Sequence, residues 1–371
     1  MALKLLHFAN ARLGATLTSL GSHGREHRAA SLATLANLGD LAVMESVQAV
    51  LISGDLFDCA APSSTTLKTV QTFFLKLHDA GIAAIVLPGT RDPEGVFDAH
   101  RQPDGADLCP GALVLGPQHT IVRLKTLNLV VCATTVPAST GAESETPLPM
   151  PLVERGEIGI GLTYRSTSNP LDMPNMARAL ARSGIRYVGI GGDAQFACET
   201  ISGIVLCSPG VPEPLDWGHE QGSIALVQVE NDGSLKVDKR TTGSHTFARR
   251  ELQVTAENAR KISSLIARQA HPDLALEIVL TGECPFHVLI DPSGIEADLS
   301  SFFFHLRIID RTKLVLKTEA LNTMPQGSIV GNFARVMESR IRDSGDDEHA
   351  GTDREAYQIG MSLLQGGGAQ A

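Results

Sequence analysis

Apolar residues along this chain fall into short continuous runs, and each run stops at a glycine, a proline or a small polar cluster. Leu3 to Phe8 is the first, ending at Asn10 and Gly14. Val47 to Ser53 is closed by Gly54 and Asp55, and Ile82 to Leu87 by Pro88-Gly89. Runs of this length between turn residues read as strands buried on both faces. Between the second and third, Thr65 to Ala80 carries Leu67, Val70, Phe73, Phe74 and Leu77 at helical spacing, and Gly81 supplies a stop. Strand, helix, strand in this order predicts a βαβ unit with a parallel strand pair. The residues just past each strand then lie at the carboxyl edge of the sheet, where α/β proteins place their sites.

The same reading continues along the chain. Asn128 to Ala133 and Glu157 to Leu162 predict strands, and the Ser, Thr, Gly, Glu and Pro of Pro137 to Pro151 predict a loop. Asn175 to Ser183 predicts a helix ended by Gly184, followed by a strand from Tyr187 to Ile190. Ile204 to Ser208 and Ser223 to Glu230 predict strands, with Asn231-Asp232-Gly233 as a hairpin turn into Leu235 to Val237. A second unit begins near Phe247. Its predicted strands are Leu252 to Val254, Leu274 to Leu280, Phe286 to Ile290 and Lys313 to Lys317, and its helices Ala256 to Arg268 and Gly294 to Phe304. The tail, Gly327 to Ala371, predicts a helix from Ile329 to Ser344, a polar break from Gly345 to Asp353 and a second short helix.

A length of 371 residues exceeds one small core, and 43% hydrophobic residues suffice for two domains and a tail. The domain ranges expected are 1–243, 244–320 and 321–371. Aromatics make up 4% of the chain and the formal net charge is -10. Both argue against indiscriminate nucleic-acid binding by the whole surface, though not against a local basic groove. The six cysteines include no C-x-x-C pair, so neither a zinc knuckle nor a redox motif is readable, and buried reduced thiols are expected. The first strand starts at once, leaving no room for a signal-peptide core, and no apolar run reaches membrane length. The expectation is a soluble cytoplasmic protein.

Four segments carry the candidate chemistry. They are His7-Phe8-Ala9-Asn10-Ala11-Arg12-Leu13-Gly14, Gly54-Asp55-Leu56-Phe57-Asp58, Pro88-Gly89-Thr90-Arg91-Asp92 and Gly191-Gly192-Asp193-Ala194. In order and spacing they resemble the D-x-H, G-D-x-x-D, G-N-H-D and G-H-x-H motifs of the calcineurin-like metallophosphoesterases, and only the second is intact. Further matches narrow the resemblance to the SbcD branch, the nuclease subunit of a recombination-repair complex, with its YhaO-type relatives. Tyr187 to Ala194 resembles Y-V-A-L-G-H-x-H, Ser208 to Pro214 resembles the S-G-S-P-E-P turn, Leu280-Thr281-Gly282 matches L-T-G and Asp310-Arg311-Thr312 matches D-x-T. This resemblance covers nearly the whole chain. It implies a four-layer αββα sandwich, a small α/β capping domain over 244–320 and C-terminal helices.

In that family two divalent ions, usually manganese, clamp the scissile phosphate and generate a hydroxide nucleophile. Carried onto this sequence, the D-x-H positions hold Asn10 and Arg12, and the bridging aspartate is kept as Asp55. The G-N-H-D amide and its transition-state acid become Thr90 and Arg91, the next histidine falls near Leu162-Thr163, and the G-H-x-H pair becomes Gly192 and Ala194. Arginine offers no lone pair and stays protonated, so Arg12 and Arg91 repel a dication. No metal and no catalytic residue are therefore expected. The alternative carboxylates Asp55, Asp92 and Asp193 would hold one magnesium ion at most, with Asp193 at a position that is not a ligand in the family. Losing the metals would strand Asp55, and Arg12 or Arg91 is expected to supply the missing charge, either as an internal ion pair or as a phosphate grip without hydrolysis.

Other features read more plainly. His7 is expected to be a packed strand histidine and Asp58 a loop cap. Arg178, Arg182 and Arg186, like Arg249-Arg250, are expected on solvated faces. The tail-helix residues Ile329, Phe333, Val336 and Ile341 are expected to be held by the protein's own surface, with Arg335, Arg340 and Arg342 beside them. The resemblance implies a homodimer with an SbcC-type coiled-coil ATPase, and DNA association is expected to be weak because few cationic contacts oppose a net charge of -10. The leading functional reading is a pseudonuclease acting as a DNA-associated scaffold or regulator. Its rivals are an active exonuclease or phosphodiesterase with a rebuilt manganese or magnesium site, and a protein-interaction module.

Overall fold

The computed structural model describes residues 3–59, 61–93, 95–97, 107–116, 120–133, 153–164, 173–192, 195–230, 233–285, 290–315, 327–343 and parts of 352–364. They divide into two compact units, Met1–Phe247 and Ala248–Ala371.

In chain order the first unit runs β1 (Leu3–Phe8), α1 (Gly24–Met44), β2 (Ala49–Ser53), α2 (Ser64–Asp79), β3 (Ala83–Leu87), β4 (Leu113–Val114), β5 (Ile121–Leu124), β6 (Leu129–Ala133) and β7 (Ile158–Tyr164). It continues with α3 (Met173–Arg182), β8 (Ile185–Gly191), β9 (Phe196–Ile201), β10 (Ile204–Pro209), β11 (Gly222–Val229) and β12 (Leu235–Thr242). Two six-stranded sheets result, in the orders β12-β11-β1-β2-β3-β4 and β5-β6-β7-β8-β10-β9. β1, β2 and β3 pair in parallel, as do β6, β7, β8 and β10.

The layer order follows from which side chains share a core. Leu5, Ala49, Leu51, Ile85 and Leu87 of the first sheet pack with Leu129, Val131, Ile160, Leu162 and Tyr187 of the second. On the outer face of the first sheet, Leu6, Phe8, Val50, Ile52 and Val86 meet Leu35 and Leu38 of α1 and Val70, Phe73, Phe74 and Leu77 of α2. Val188, Ile190 and Leu206, on the outer face of the second sheet, meet Ala177 and Leu180 of α3. Strands buried on both faces explain the continuous apolar runs, and the unit is a helix–sheet–sheet–helix sandwich. Ser63 caps α2 by accepting the Thr66 N–H at 3.2 Å, and Gly81 at φ 70° ends it. Positions 231–232 of the expected hairpin turn lie outside the described residues, as does the expected loop Pro137 to Pro151.

The second unit begins within β13 (Thr246–Val254) and holds α4 (Ile262–Ala267), β14 (Leu274–Pro285), α5 (Pro292–Leu299), β15 (His305–Asp310) and β16 (Lys313–Val315). β14 is its central strand, parallel to β15 and β16. Leu276, Ile278 and Leu280 pack on Ile262, Ile266 and Leu299. The single helix expected over Ala256 to Arg268 is instead a 3-10 turn, Ala259–Lys261, followed by the short α4, because Asn258 bonds back to Gln253 and Thr255 and opens the chain irregularly. Residues 286–289 of another expected strand are outside the described residues.

Two expectations need correction. The C-terminal helix Ile329–Asp343 packs Ala334 and Met337 against Tyr357 and Met361, with Phe333 and Ile341 partly covered. Ile329 and Val336, however, are 76% and 65% exposed, because they fall off that stripe. Arg249 and Arg250 are exposed, as expected, and Arg249 Nε also lies 3.0 Å from the buried Glu277, which Arg307 approaches at 3.3 Å. Of the free cysteines, Cys198 is exposed and Cys59 half-buried, since Cys198 lies on the edge strand β9. Among the described residues no helix is long and apolar enough to cross a membrane.

Candidate functional site

The loops after β1, β2 and β3 meet the last residue of β7, Tyr164, and backbone bonds lock the first two loops together. The Asn10 and Arg12 N–H groups donate to the Gly54 and Asp55 carbonyls, each at 2.9 Å, Leu13 N–H donates to Leu56 at 2.9 Å, and Asp58 N–H returns to Leu13 at 3.0 Å. Asn10, Arg12 and Asp55 take φ of 55°, 46° and 49°, a left-handed conformation that costs a residue with a β-carbon roughly 1–2 kcal/mol. The paired loops hold that strain. Gly54 and Gly89 are glycines for a steric reason, because a β-carbon would run into the Tyr164 ring at Gly54 and into Asp55 Oδ1 at Gly89.

Asp55 sits at the centre, 3% exposed. Its Oδ2 accepts from the Tyr164 hydroxyl at 2.7 Å and its Oδ1 from the Arg91 backbone N–H at 3.1 Å. Burial raises its pKa, and the Tyr164 and Arg91 N–H bonds and the charges of Arg91 and Arg12 only partly offset that. Arg91 Nε stands 3.7 Å from Asp55 Oδ2. Thr90 is exposed, and its hydroxyl bonds the Tyr164 hydroxyl at 3.0 Å.

The guanidinium groups do not divide as the sequence predicted. Arg12 reaches past Asp55 and donates from Nε and Nη2 to Asp58 Oδ2 at 3.0 and 2.6 Å. Arg91 donates from Nη1 to Asp58 Oδ1 at 2.9 Å. Asp58 is therefore the anion shared by both arginines and not a loop cap. The physical reason is reach: Asp55 carries its carboxylate toward the β7 side, where Tyr164 takes it, while Asp58 follows the locked loop beside Arg12. Asp92 is a brace, its oxygens accepting from Phe57 N–H at 2.8 Å and Gly89 N–H at 2.7 Å. Burial drives its pKa up to about 7 despite those two bonds.

The remaining expected positions are spent on structure. Asn10 Oδ1 accepts the Gly192 N–H at 2.9 Å, joining the β1 and β8 loops. Leu162 is fully buried in the core between the sheets. Asp193 and Ala194 lie outside the described residues. His7 is a core residue, as expected, with Nδ1 2.7 Å from the Tyr187 hydroxyl and Nε2 2.7 Å from Ser53 Oγ. Arg178, Arg182 and Arg186 are exposed. Tyr164 escaped the sequence reading. The one signal for it was its place at the end of β7, two residues past Leu162, on the strand already matched to a ligand position.

Chemically, the edge holds two permanent cations against two carboxylates, with the buried Asp92 titrating near neutrality. Arg12 and Arg91 offer no electron pair, and they neutralise the carboxylates beside them. Two divalent ions do not fit this donor set among the described residues.

No family model matches the chain, and no curated protein does. Solved structures offer distant likenesses. TT1561 of Thermus thermophilus is 15% identical over 64% of this chain and 99% of its own, with a TM-score of 0.40. A predicted phosphoesterase from Streptococcus pneumoniae TIGR4 is 10% identical over 65% and 90%, with a TM-score of 0.33. Vacuolar protein sorting 29 from Cryptosporidium parvum is 14% identical over 65% and 98%, also at 0.33. At these identities and TM-scores they assign no family, and the layer order stands on the chain's own packing.

Proposed function

We propose that this chain is a non-hydrolytic member of the SbcD-type metallophosphoesterases, a pseudonuclease acting as a DNA-associated scaffold or regulatory subunit. The observation that carries this reading is the Arg12–Asp58–Arg91 ion triad. It fills the loop edge where the resembled enzymes hold their ions, with groups that cannot ligate and that repel a dication. Metal-generated hydroxide and a general acid each supply orders of magnitude of rate, and among the described residues of this loop edge neither has a residue to carry it.

The ion triad also limits the phosphate grip. Both arginines already spend N–H groups on Asp58, and Arg91 is the more open of the two, at 50% exposure. Duplex DNA would have to compete with an internal carboxylate and with a net charge of -10. Binding is therefore weak and salt-sensitive. An Arg12→Ala, Arg91→Ala double variant has a salt slope shallower by about one unit per lost phosphate contact. Fluorescence anisotropy on a labelled duplex across a salt series tests this, and an unchanged slope assigns the arginines to structure alone.

The decisive test is activity. Purified protein with manganese and linear DNA is expected to leave the DNA intact. Cleavage that disappears in an Asp55→Ala variant overturns the reading in favour of a rebuilt site. The homodimer and the SbcC-type ATPase partner belong to the same proposal, and pull-down with the ATPase tests them. The exposed Ile329 and Val336 on the C-terminal helix favour the second reading, a protein-interaction module. Absence of DNA binding by the parent at low salt, alone or with the ATPase, would support it.

A further inference from the structure

Away from the arginine site, three buried polar side chains converge within the first unit. His27 lies one turn into α1, Glu213 in the connection from β10 to β11, and His245 in the turn after β12. Their side chains are 0%, 2% and 10% exposed. Among the described residues they are the only three His, Cys, Asp or Glu whose ligand atoms all lie within 4.8 Å of one another.

We propose that His27, Glu213 and His245 form a binding site for one zinc-class divalent cation. The distances fit such an ion. His27 Nδ1 is 3.0 Å from His245 Nδ1, and Glu213 Oε1 is 3.7 Å from His245 Nδ1 and 4.0 Å from His27 Nδ1. A triangle with those sides has a circumradius of about 2.1 Å, the length of a Zn–N or Zn–carboxylate bond. A single point in the plane of the three donors therefore lies at bonding distance from all of them, and a slight closing of the triangle lifts the ion out of that plane into the tetrahedral geometry zinc prefers.

The surroundings prepare the donors. His27 donates its Nε2–H to the Pro214 carbonyl at 2.6 Å, which fixes the tautomer with the lone pair on Nδ1. Metal-bound histidines show the same outer bond. Burial lowers the His27 pKa, outweighing the Pro214 carbonyl and Glu213, which raise it, and so favours the neutral ring that a metal requires. Glu213 is oriented by Thr34 Oγ1 at 2.5 Å and by the Ser244 and His245 N–H groups at 2.9 to 3.1 Å. Burial pushes its carboxyl up, but those bonds and the histidines bring it net below its ordinary value, and it supplies the anion. Two imidazoles and one carboxylate are a zinc donor set that leaves a fourth position open. The turn at Gly243-Ser244, next to His245, is exposed and gives an ion its entry.

Such an ion would staple α1 to two loops from the sheet's antiparallel edge. It is independent of Asp55, so its test separates from that of the arginine site. The full-length protein is stripped with chelator, dialysed against zinc or cobalt, and its metal content and cobalt visible spectrum are measured. One equivalent per chain is expected in the parent and in Asp55→Asn. His245→Gln, at the more accessible ligand, and Glu213→Gln are each expected to weaken binding by more than the roughly 10–100-fold that outer-shell changes cost. Circular dichroism confirms that each variant is folded, and zinc raises the melting temperature of the parent but not of the variants. No bound metal in the parent, or an equivalent that survives in folded His245→Gln and Glu213→Gln, would overturn the proposal.

Discussion

The ion triad at the loop edge makes a graded prediction. Arg12 gives two N–H bonds to one Asp58 oxygen and is 25% exposed, while Arg91 gives one bond to Asp58 and is 50% exposed. Charge-assisted bonds of the first kind contribute roughly 1.5–3 kcal/mol, and half-exposed pairs of the second kind roughly 0.2–1 kcal/mol after solvent screening. Arg12→Ala is therefore expected to cost about 2 kcal/mol and Arg91→Ala about 0.5 kcal/mol. Asp58→Ala should cost at least as much as Arg12→Ala, because it strands both guanidiniums beside each other. In an Arg12–Asp58 double-mutant cycle the coupling should be about 1–2 kcal/mol, and in an Arg12–Asp55 cycle well below that. The assay is urea unfolding followed by fluorescence of Trp217, the one tryptophan of the chain, which sits in the first unit against Phe247 and so reports that unit alone. Coupling within error of zero for Arg12–Asp58, or a larger loss for Arg91→Ala than for Arg12→Ala, refutes the arrangement.

Two further predictions use the same assay. Gly89→Ala should destabilise the first unit by several kcal/mol and disturb the Tyr164 environment, because the new methyl overlaps Asp55 Oδ1 in a loop that the Asp92 brace holds fixed; a near-neutral change would show that this loop yields easily. Burial takes His7 from 6.5 down to about 3, so the unfolded state binds the extra proton between those values and stability falls as pH drops through that window. Asp92 has the opposite sign, losing stability as pH rises from the ordinary carboxyl range through about 7, so the contribution of His7 is read as the difference between parent and His7→Gln. An identical acid limb in both would place the acid sensitivity elsewhere.

Much of the sandwich was legible because its central strands are buried on both faces, and Leu3–Phe8, Ala49–Ser53 and Ala83–Leu87 appear as short, mostly apolar runs. α1 was not legible, although it is 21 residues long. Its buried face includes His27, Ser31, Thr34 and Gly39, so no apolar stripe marks it. The edge strand Phe196–Ile201 is exposed at four successive positions and carries no alternation. β15 did carry one, with Leu306 and Ile308 buried, but the three phenylalanines before it read as a continuing helix. At the site, ordered motifs located every loop edge, yet partner choice escaped. Arg12 and Asp58 stand 46 residues apart, and whether a guanidinium stops at Asp55 or reaches Asp58 depends on the positive-φ turn that aims it. The His27 cluster escaped for the same reason, since its members come from three separated segments with no shared motif.

Asp55 is held by Tyr164 and the Arg91 N–H, Asp58 by both guanidiniums, and Asn10 by the Gly192 N–H, so each polar group at this edge is tied to a different neighbour. Restoring one donor leaves the others occupied or absent. Arg12→His would return an imidazole, yet Arg91 would still stand beside Asp55 and Asp58, and Leu162 would still fill the core. A divalent ion needs several anionic or neutral donors together, so the single change should give no measurable gain in manganese affinity at this edge. The expected result in a calorimetric titration, run with Glu213→Gln in the background to silence the second site, is no heat of binding. Removing Arg12 without a substitute cation also unbalances Asp58, so the variant should be less stable than the parent. Tight, stoichiometric manganese binding by the Arg12→His protein would mean that the site needs only one donor to recover, and that the pseudonuclease reading is wrong.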